Sequence, residues 1–162
     1  MQVPRPIPQQ TGILADLQLA LTDSSEAQRI EAIRGLEEID GPDATRALAV
    51  VLRDPSVRVR LEAVEALGSV SANIAFELLV AALDDADRDV RETAVEMLAE
   101  IGGSKAITAL AYAMHDVDAD VRLEAVDALT EIEDPRAPGL LQLALADAER
   151  RVREAASASL ND

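Results

Sequence analysis

Residues 56–70 read SVRVRLEAVEALGSV, and this stretch decides the fold. Val59, Ala63, Ala66, Leu67 and Val70 stand at i, i+4, i+7, i+8 and i+11, the spacing of one face of an α-helix. Its Val59-Arg60 pair returns as Val90-Arg91, Val121-Arg122 and Val152-Arg153, each 31 residues further on, and one step back lands on Gln28-Arg29. The same step runs through Asp23, Asp54, Asp85, Asp116 and Asp147. It also runs through Ala32, Ala63, Ala94, Ala125 and Ala156, and through Leu36, Leu67, Leu98, Leu129 and Leu160. In the second half of the unit, Ala44, Ala75, Ala106 and Ala137 align, followed by Leu48, Leu79, Leu110 and Leu141. A fixed period of this length is the signature of a repeat architecture.

Each unit holds two helical patterns. The second runs over residues 73–83, with Ala75, Leu78, Leu79, Ala82 and Leu83 on one face. Breakers separate the patterns: Asp40-Gly41-Pro42, Gly102-Gly103-Ser104 and Glu133-Asp134-Pro135. The spacing predicts A helices over about 25–39, 56–69, 87–101, 118–132 and 149–160. B helices are expected over about 10–21, 43–52, 73–83, 104–114 and 135–145. No segment alternates with period two, so no strand is expected. One such hairpin cannot bury its apolar face alone, whereas stacked neighbours share a continuous core.

The reading is therefore an all-α, right-handed superhelical solenoid of about five helix-pair repeats, on the order of 45 Å long at ordinary helix spacings. Residues 10–162 form its single domain, and residues 1–9, with Pro4, Pro6 and Pro8, an extended arm. The ends read as finished: the helix at 10–21 covers the first A helix. The last A helix also replaces the aliphatic column Ile33, Val64, Val95 and Val126 with Ser157.

Composition agrees and excludes. The 162 residues carry 15 Lys and Arg against 31 Asp and Glu, a formal net charge of −16, and 49% are hydrophobic. There is one Phe, one Tyr, one His, no Trp and no Cys. A disordered acidic chain would lack the aliphatics. Thiolate metal sites, disulfides and cysteine nucleophiles need cysteines. A nucleic-acid partner needs a positive footprint, and this charge repels phosphate. The start MQVPRPIPQQ lacks the basic and apolar run of a secretory signal, and no apolar stretch reaches membrane-spanning length. The expectation is a cytoplasmic, acidic, monomeric protein without a membrane association.

The copies DPSVRVRLEAVEALG, DADRDVRETAVEML and DVDADVRLEAVDAL resemble HEAT repeats, and more closely the HEAT-like repeats of the phycobilisome-lyase type. The resemblance covers residues 10–162. It implies an armadillo-like α-solenoid whose B helices line the concave side, and it extends to scaffolds, bilin-handling proteins and metabolic enzymes alike.

The candidate sites follow from where the columns fall. Arg29, Arg60, Arg91, Arg122 and Arg153 stand beside the core stripe. Each is expected to bond the aspartates Asp54, Asp85, Asp116 and Asp147, or carbonyls, at the start of a neighbouring A helix as a structural ladder. The loops Asp84–Asp89 and Asp116–Asp120 each contain D-x-D-x-D, with Glu96 or Asp127 at the twelfth position of a calcium-type loop. Val90 or Val121 occupies the sixth position, where that loop demands glycine, so the aspartates read as helix caps and no metal is expected. His115 is the only imidazole, and Gly102-Gly103 ends a helix and cradles no phosphate. No catalytic constellation and no cofactor are expected, so the protein reads as a non-enzyme.

The outer face of helix A is dominated by Glu62, Glu65, Glu92, Glu96, Glu100, Glu124, Asp127 and Glu131. On helix B, the column Leu19, Val50, Ala81, Tyr112 and Leu143 is apolar in every repeat, although the helical wheel turns it outward. Either strong curvature buries that column between neighbouring B helices, or it lines a binding groove. The groove reading gives a scaffold or adaptor that holds another protein on Tyr112, His115, Val80, Val50 and Leu143, with Arg46 and Arg53 orienting acidic groups at one end. Phe76 lies at the flank of its B helix and reads equally as core. The rival reading, implied by the repeat subtype, is a phycobilin lyase or bilin-handling subunit. A consensus-designed scaffold is disfavoured by the irregular loops at Pro55, Asn73, Gly103 and Pro135.

Overall fold

The computed structural model describes residues 8–39, 41–70 and 72–161. Among them are ten α-helices and no strand. The A helices are α2 (Glu26–Ile39), α4 (Val57–Ser69), α6 (Arg88–Ile101), α8 (Ala119–Glu131) and α10 (Arg150–Ser159). The B helices are α1 (Pro8–Ala20), α3 (Pro42–Val51), α5 (Ala72–Ala82), α7 (Gly103–Ala113) and α9 (Ala137–Ala144). The helix-pair repeat read from the sequence is thus the architecture of the chain.

Two helix starts differ from the sequence reading by two residues, each for a local reason, and the other ends agree within one. Pro8 and Gln9, assigned to the extended arm, begin α1. Proline is tolerated in the first helical turn, where its missing N–H would have no intrahelical partner. Helix α9 starts at Ala137 and not at Pro135, because the Asp134 carboxylate accepts the Arg136 backbone N–H at 2.9 Å and holds Pro135-Arg136 in a turn. Pro4 and Pro6 of the expected arm, and Asp40 of the first breaker, lie outside the described residues.

The chain divides into two compact units, Met1–Ala75 and Phe76–Asp162, where the sequence reading takes one domain; the division falls within α5. In the first unit α2 packs on α1, α3 and α4, and α3 packs on α4. In the second, α6, α8 and α10 pack in succession, with α7 against α6 and α8 and α9 against α8 and α10. The columns supply both cores. Ala63, Ala94, Ala125 and Ala156 are fully buried, as are Val59, Val90, Leu67, Leu98, Leu48, Leu79 and Leu110. A small residue at a helix crossing lets backbones approach, so leucines fill the space that aromatic rings occupy elsewhere. Ser56, Asp87 and Asp118 cap α4, α6 and α8 by accepting backbone N–H groups. Gly102, at φ 66°, ends α6 and starts α7 in a conformation that costs a side-chain-bearing residue energy.

The recurring arginines build a ladder. Arg29 donates through Nε and Nη2 to both Asp54 oxygens at 2.7 and 2.9 Å. Arg91 holds Asp116 in the same way at 2.7 and 2.8 Å, and Arg122 holds Asp147 at 2.8 and 2.9 Å. The remaining nitrogen of each fork, Nη1, donates to the carbonyl of the recurring aspartate in its own repeat: Asp23 for Arg29, Asp85 for Arg91, Asp116 for Arg122. Arg60 and Arg153 donate likewise to the Asp54 and Asp147 carbonyls. Each aspartate also accepts a backbone N–H two residues on, such as Asp118 N–H to Asp116 at 2.8 Å. Burial pushes the Asp116 carboxyl up, but the Arg91 fork, the Asp118 N–H and the charges of Arg91 and Arg122 outweigh it and hold it below the usual range. The Arg122 fork lowers Asp147 against its burial.

Glu124 and Asp127 on helix α8 behave oppositely. Glu96, Glu100, Glu124, Asp127 and Glu131 line one hollow between α6 and α8. Burial first, then the charges of Glu96, Asp127, Glu92 and Glu131, push Glu124 up; burial and Glu131 raise Asp127.

Asp116→Ala leaves a nearly buried guanidinium without its carboxylate and should cost about 3 kcal/mol, read as a denaturation-midpoint shift. Glu154→Ala, which removes the exposed Arg150–Glu154 pair, should change stability by less than about 0.5 kcal/mol. A lowered carboxyl contributes stability above its unfolded value, about 3.9, that is lost as pH falls through the folded value. A raised carboxyl contributes stability below its unfolded value, about 4, that is lost as pH rises through the folded one. The melting temperature should therefore rise as pH is lowered from neutral, then fall below about pH 4, and Glu124→Gln should flatten the neutral side only.

Candidate partner-binding surface

Burial decides the fate of the outward column on the B helices. Leu19 is 73% exposed, Val50 66%, Tyr112 57% and Leu143 64%, and Ala81 is exposed as well. Packing does not absorb these side chains, so the curvature reading that buries them does not hold. Phe76, by contrast, is buried, with Lys105 Nζ 5.8 Å from its ring centroid.

In the second unit the chain brings together Tyr112, His115 and Leu143. Tyr112 sits in the last turn of α7, His115 in the turn that follows, and Leu143 near the end of α9. Tyr112 and His115 line a hollow of about 320 Å³ with Asp84, Asp85, Arg91 and Asp116. His115 and Leu143 line a second, of about 190 Å³, with Met114, Ala146 and Val152. His115 is the wall the two hollows share. Val80, on α5, is half-buried and lines neither. Ladder pairs take part in both hollows, Arg91–Asp116 in the first and Arg122–Asp147 in the second. The Tyr112 hydroxyl donates to Asp84 Oδ1 at 2.6 Å, and this bond holds the phenol above its ordinary range.

Val50, Arg46 and Arg53 belong to the first unit. Val50 and Arg46 lie on α3 and Arg53 just beyond it, all three exposed. Arg46 is ion-paired with Asp43 one turn earlier on the same helix, so its charge is compensated locally. The structure therefore gathers Tyr112, His115 and Leu143 at one place and sets Val50, Arg46 and Arg53 on or just after a helix of the other unit.

Three further residues belong to the hollows. Asp84 pairs with the tyrosine, Met114 lines the second hollow, and Val117, on the loop after α7, is 94% exposed beside Tyr112. The Tyr112–Asp84 pair spans 28 residues, as does the bond from Arg34 Nε to Glu62 on the A helices. One repeat less one helical turn is the signal that would have found it. Of the aspartates in the two D-x-D-x-D loops, Asp87 and Asp118 cap helices, Asp85 and Asp116 belong to the ladder, and Asp89 and Asp120 pair with Arg88, Asp120 also with Arg151. Val90 and Val121, at the sixth loop positions, are buried inside α6 and α8.

No helix among the described residues is long and apolar enough to cross a membrane. No curated protein matches the chain. Solved structures do. A chain in the complex of CpcE and CpcF of phycocyanin lyase from Nostoc sp. PCC7120 is 20% identical with a TM-score of 0.65, over 92% of this chain and 98% of that one. A designed armadillo repeat protein in complex with the peptide (KR)4 is 23% identical with a TM-score of 0.57, over 94% of this chain and 82% of that one. A chain of the Pds5–Scc1 complex is 17% identical with a TM-score of 0.74, over 94% of this chain and 30% of that one. At these identities they share its fold. The family model for HEAT repeats matches residues 14–91 and 76–161, nearly the whole chain. With that match and the helix pairs built on its 31-residue step, the chain belongs to the HEAT repeat family.

Proposed function

We propose that this protein is a non-enzymatic interaction module that holds a protein partner on its B-helix face, centred on Tyr112, His115 and Leu143. One observation carries the reading: apolar side chains on the B helices stand in solvent while the A helices carry the acids. Large exposed apolar residues around concave hollows favour association, and a half-exposed tyrosine is a common interface anchor. In the first unit the same reading gives Val50 a contact role and Arg46 and Arg53 acidic groups of the partner. The fold is compatible with this use, since the CpcE–CpcF, Pds5–Scc1 and peptide-bound armadillo structures are all complexes. An intracellular, cytoplasmic setting fits the cysteine-free sequence.

The second reading is a bilin-handling subunit, favoured by the phycocyanin-lyase neighbour, almost all of whose chain is covered. One His, one Tyr, one Phe and no Cys or Trp leave few groups to grip or attach a tetrapyrrole.

Two measurements test these readings. Tyr112→Ala should weaken a partner captured from native lysate by about tenfold or more while leaving the melting temperature unchanged. Equal melting loss with unchanged binding would return Tyr112 to the core and defeat the proposal. Mixing the protein with free bilin should leave the visible absorption spectrum unshifted; a shift would favour the lyase reading.

A further inference from the structure

The two hollows of the second unit are repeat-related, and their differences carry information. Stepping 31 residues carries Asp84 onto His115, Tyr112 onto Leu143 and His115 onto Ala146. It also carries the Arg91–Asp116 rung onto the Arg122–Asp147 rung. The rungs are bidentate pairs whose charges cancel, so neither contributes a net charge to its hollow. Selectivity must come from the variable residues.

At the first hollow these are a carboxylate, a phenol and the imidazole of His115. Asp84 accepts the Tyr112 hydroxyl at 2.6 Å and has no cationic partner among the described residues. An exposed anion beside an aromatic face attracts a guanidinium or ammonium group by charge and by the ring quadrupole together. At the second hollow the variable residues are His115, Leu143 and Ala146, beside Met114 and Val152. Leu143, Met114 and Val152 form the apolar part of that wall, which suits an aliphatic side chain.

Spacing fixes how the two requirements combine. The hollows are one repeat apart; the A helices of successive repeats, α6 and α8, pack directly at an ordinary interaxial distance of about 8–10 Å, and the Arg91–Asp116 rung ties the entry loops beside the hollows to that step. In a polyproline II segment, residues i and i+3 lie on the same side of the chain about 9 Å apart. A β-strand puts i and i+3 on opposite faces, and its same-face neighbours fall at about 7 or 13 Å, missing the layer spacing. Such a segment also has little conformational entropy to lose on binding.

We propose that the second unit binds an extended peptide segment of its partner that presents a cationic side chain and an aliphatic one three residues apart. The cation sits against Asp84 and Tyr112, and the aliphatic group against Leu143 and Met114. This rests on the interaction reading above and adds the chemistry of the occupant.

The test is selection of a displayed library of random 12-residue peptides on the full-length protein, with counter-selection on a Tyr112→Ala, Leu143→Ser double variant. Peptides that survive should carry Arg or Lys three residues from Leu, Ile, Val or Met. For a synthetic peptide made from the winning sequence, replacing its cation by Gln should weaken binding to wild type about tenfold. The same replacement should change little for Asp84→Asn, whose melting temperature should match wild type. Enrichment of variant-sensitive peptides that lack the spaced pair overturns the inference and keeps the interaction reading. A cation preference unchanged in Asp84→Asn also overturns it. No variant-sensitive peptide at all overturns the inference, and identical lysate captures by wild type and the double variant overturn the interaction reading beneath it.

Discussion

The bidentate bond from an arginine of one A helix to the aspartate that opens the next is the contact on which the rest of the structure depends. A guanidinium fork and a carboxylate meet in one planar geometry, so the bond sets position as well as energy. In Arg91 the fork reaches forward to Asp116 while Nη1 reaches back to the Asp85 carbonyl. The acceptor Asp116 is itself held by the Asp118 N–H. One rung therefore ties a helix, its own entry loop and the following entry loop together. Burial of the pair is tolerated because its polar atoms are satisfied: no buried side-chain nitrogen or oxygen among the described residues lacks a partner.

That constraint governs how the charge is distributed. Part of the net charge of −16 is structural: the loop aspartates serve as caps and rungs, and their carboxyls are not available as a diffuse acidic surface. The carboxylates between α6 and α8 are different. There burial and the charges of neighbouring acids hold Glu124 and Asp127 above the ordinary carboxyl range. The B-helix hollows of the second unit use neutral rungs, so a small number of variable side chains sets their character. Asp84 with Tyr112, and Leu143 with Met114, can thus impose different chemistry on two otherwise equivalent places.

A core of alanine and leucine is what releases the single tyrosine for the surface. Buried alanines at helix crossings leave small gaps that leucine and valine fill, and no ring larger than that of Phe76 is needed inside. Tyr112 then stands where its hydroxyl meets a carboxylate, and His115 where it divides two hollows.

What the sequence determined by itself is the architecture. Periods of 3.6 and 31 residues are read directly along the chain, and each repetition of a column is another reading of the same packing position. The breakers and prolines located the helix ends within about two residues; the largest shifts are at α1, which takes in Pro8, and at α9, where Asp134 holds the preceding turn. Tertiary structure alone decided which outward residues meet. A helical wheel shows that Tyr112 and Leu143 point away from their own helix's core, but it cannot say whether a neighbouring helix covers them. It also does not show that Tyr112 reaches Asp84, or that Arg46 is answered by Asp43 and stands in a different unit from Tyr112. Periodicity records one helix's orientation, whereas contact between side chains depends on distances across helices, and those are set by packing and by the arginine rungs.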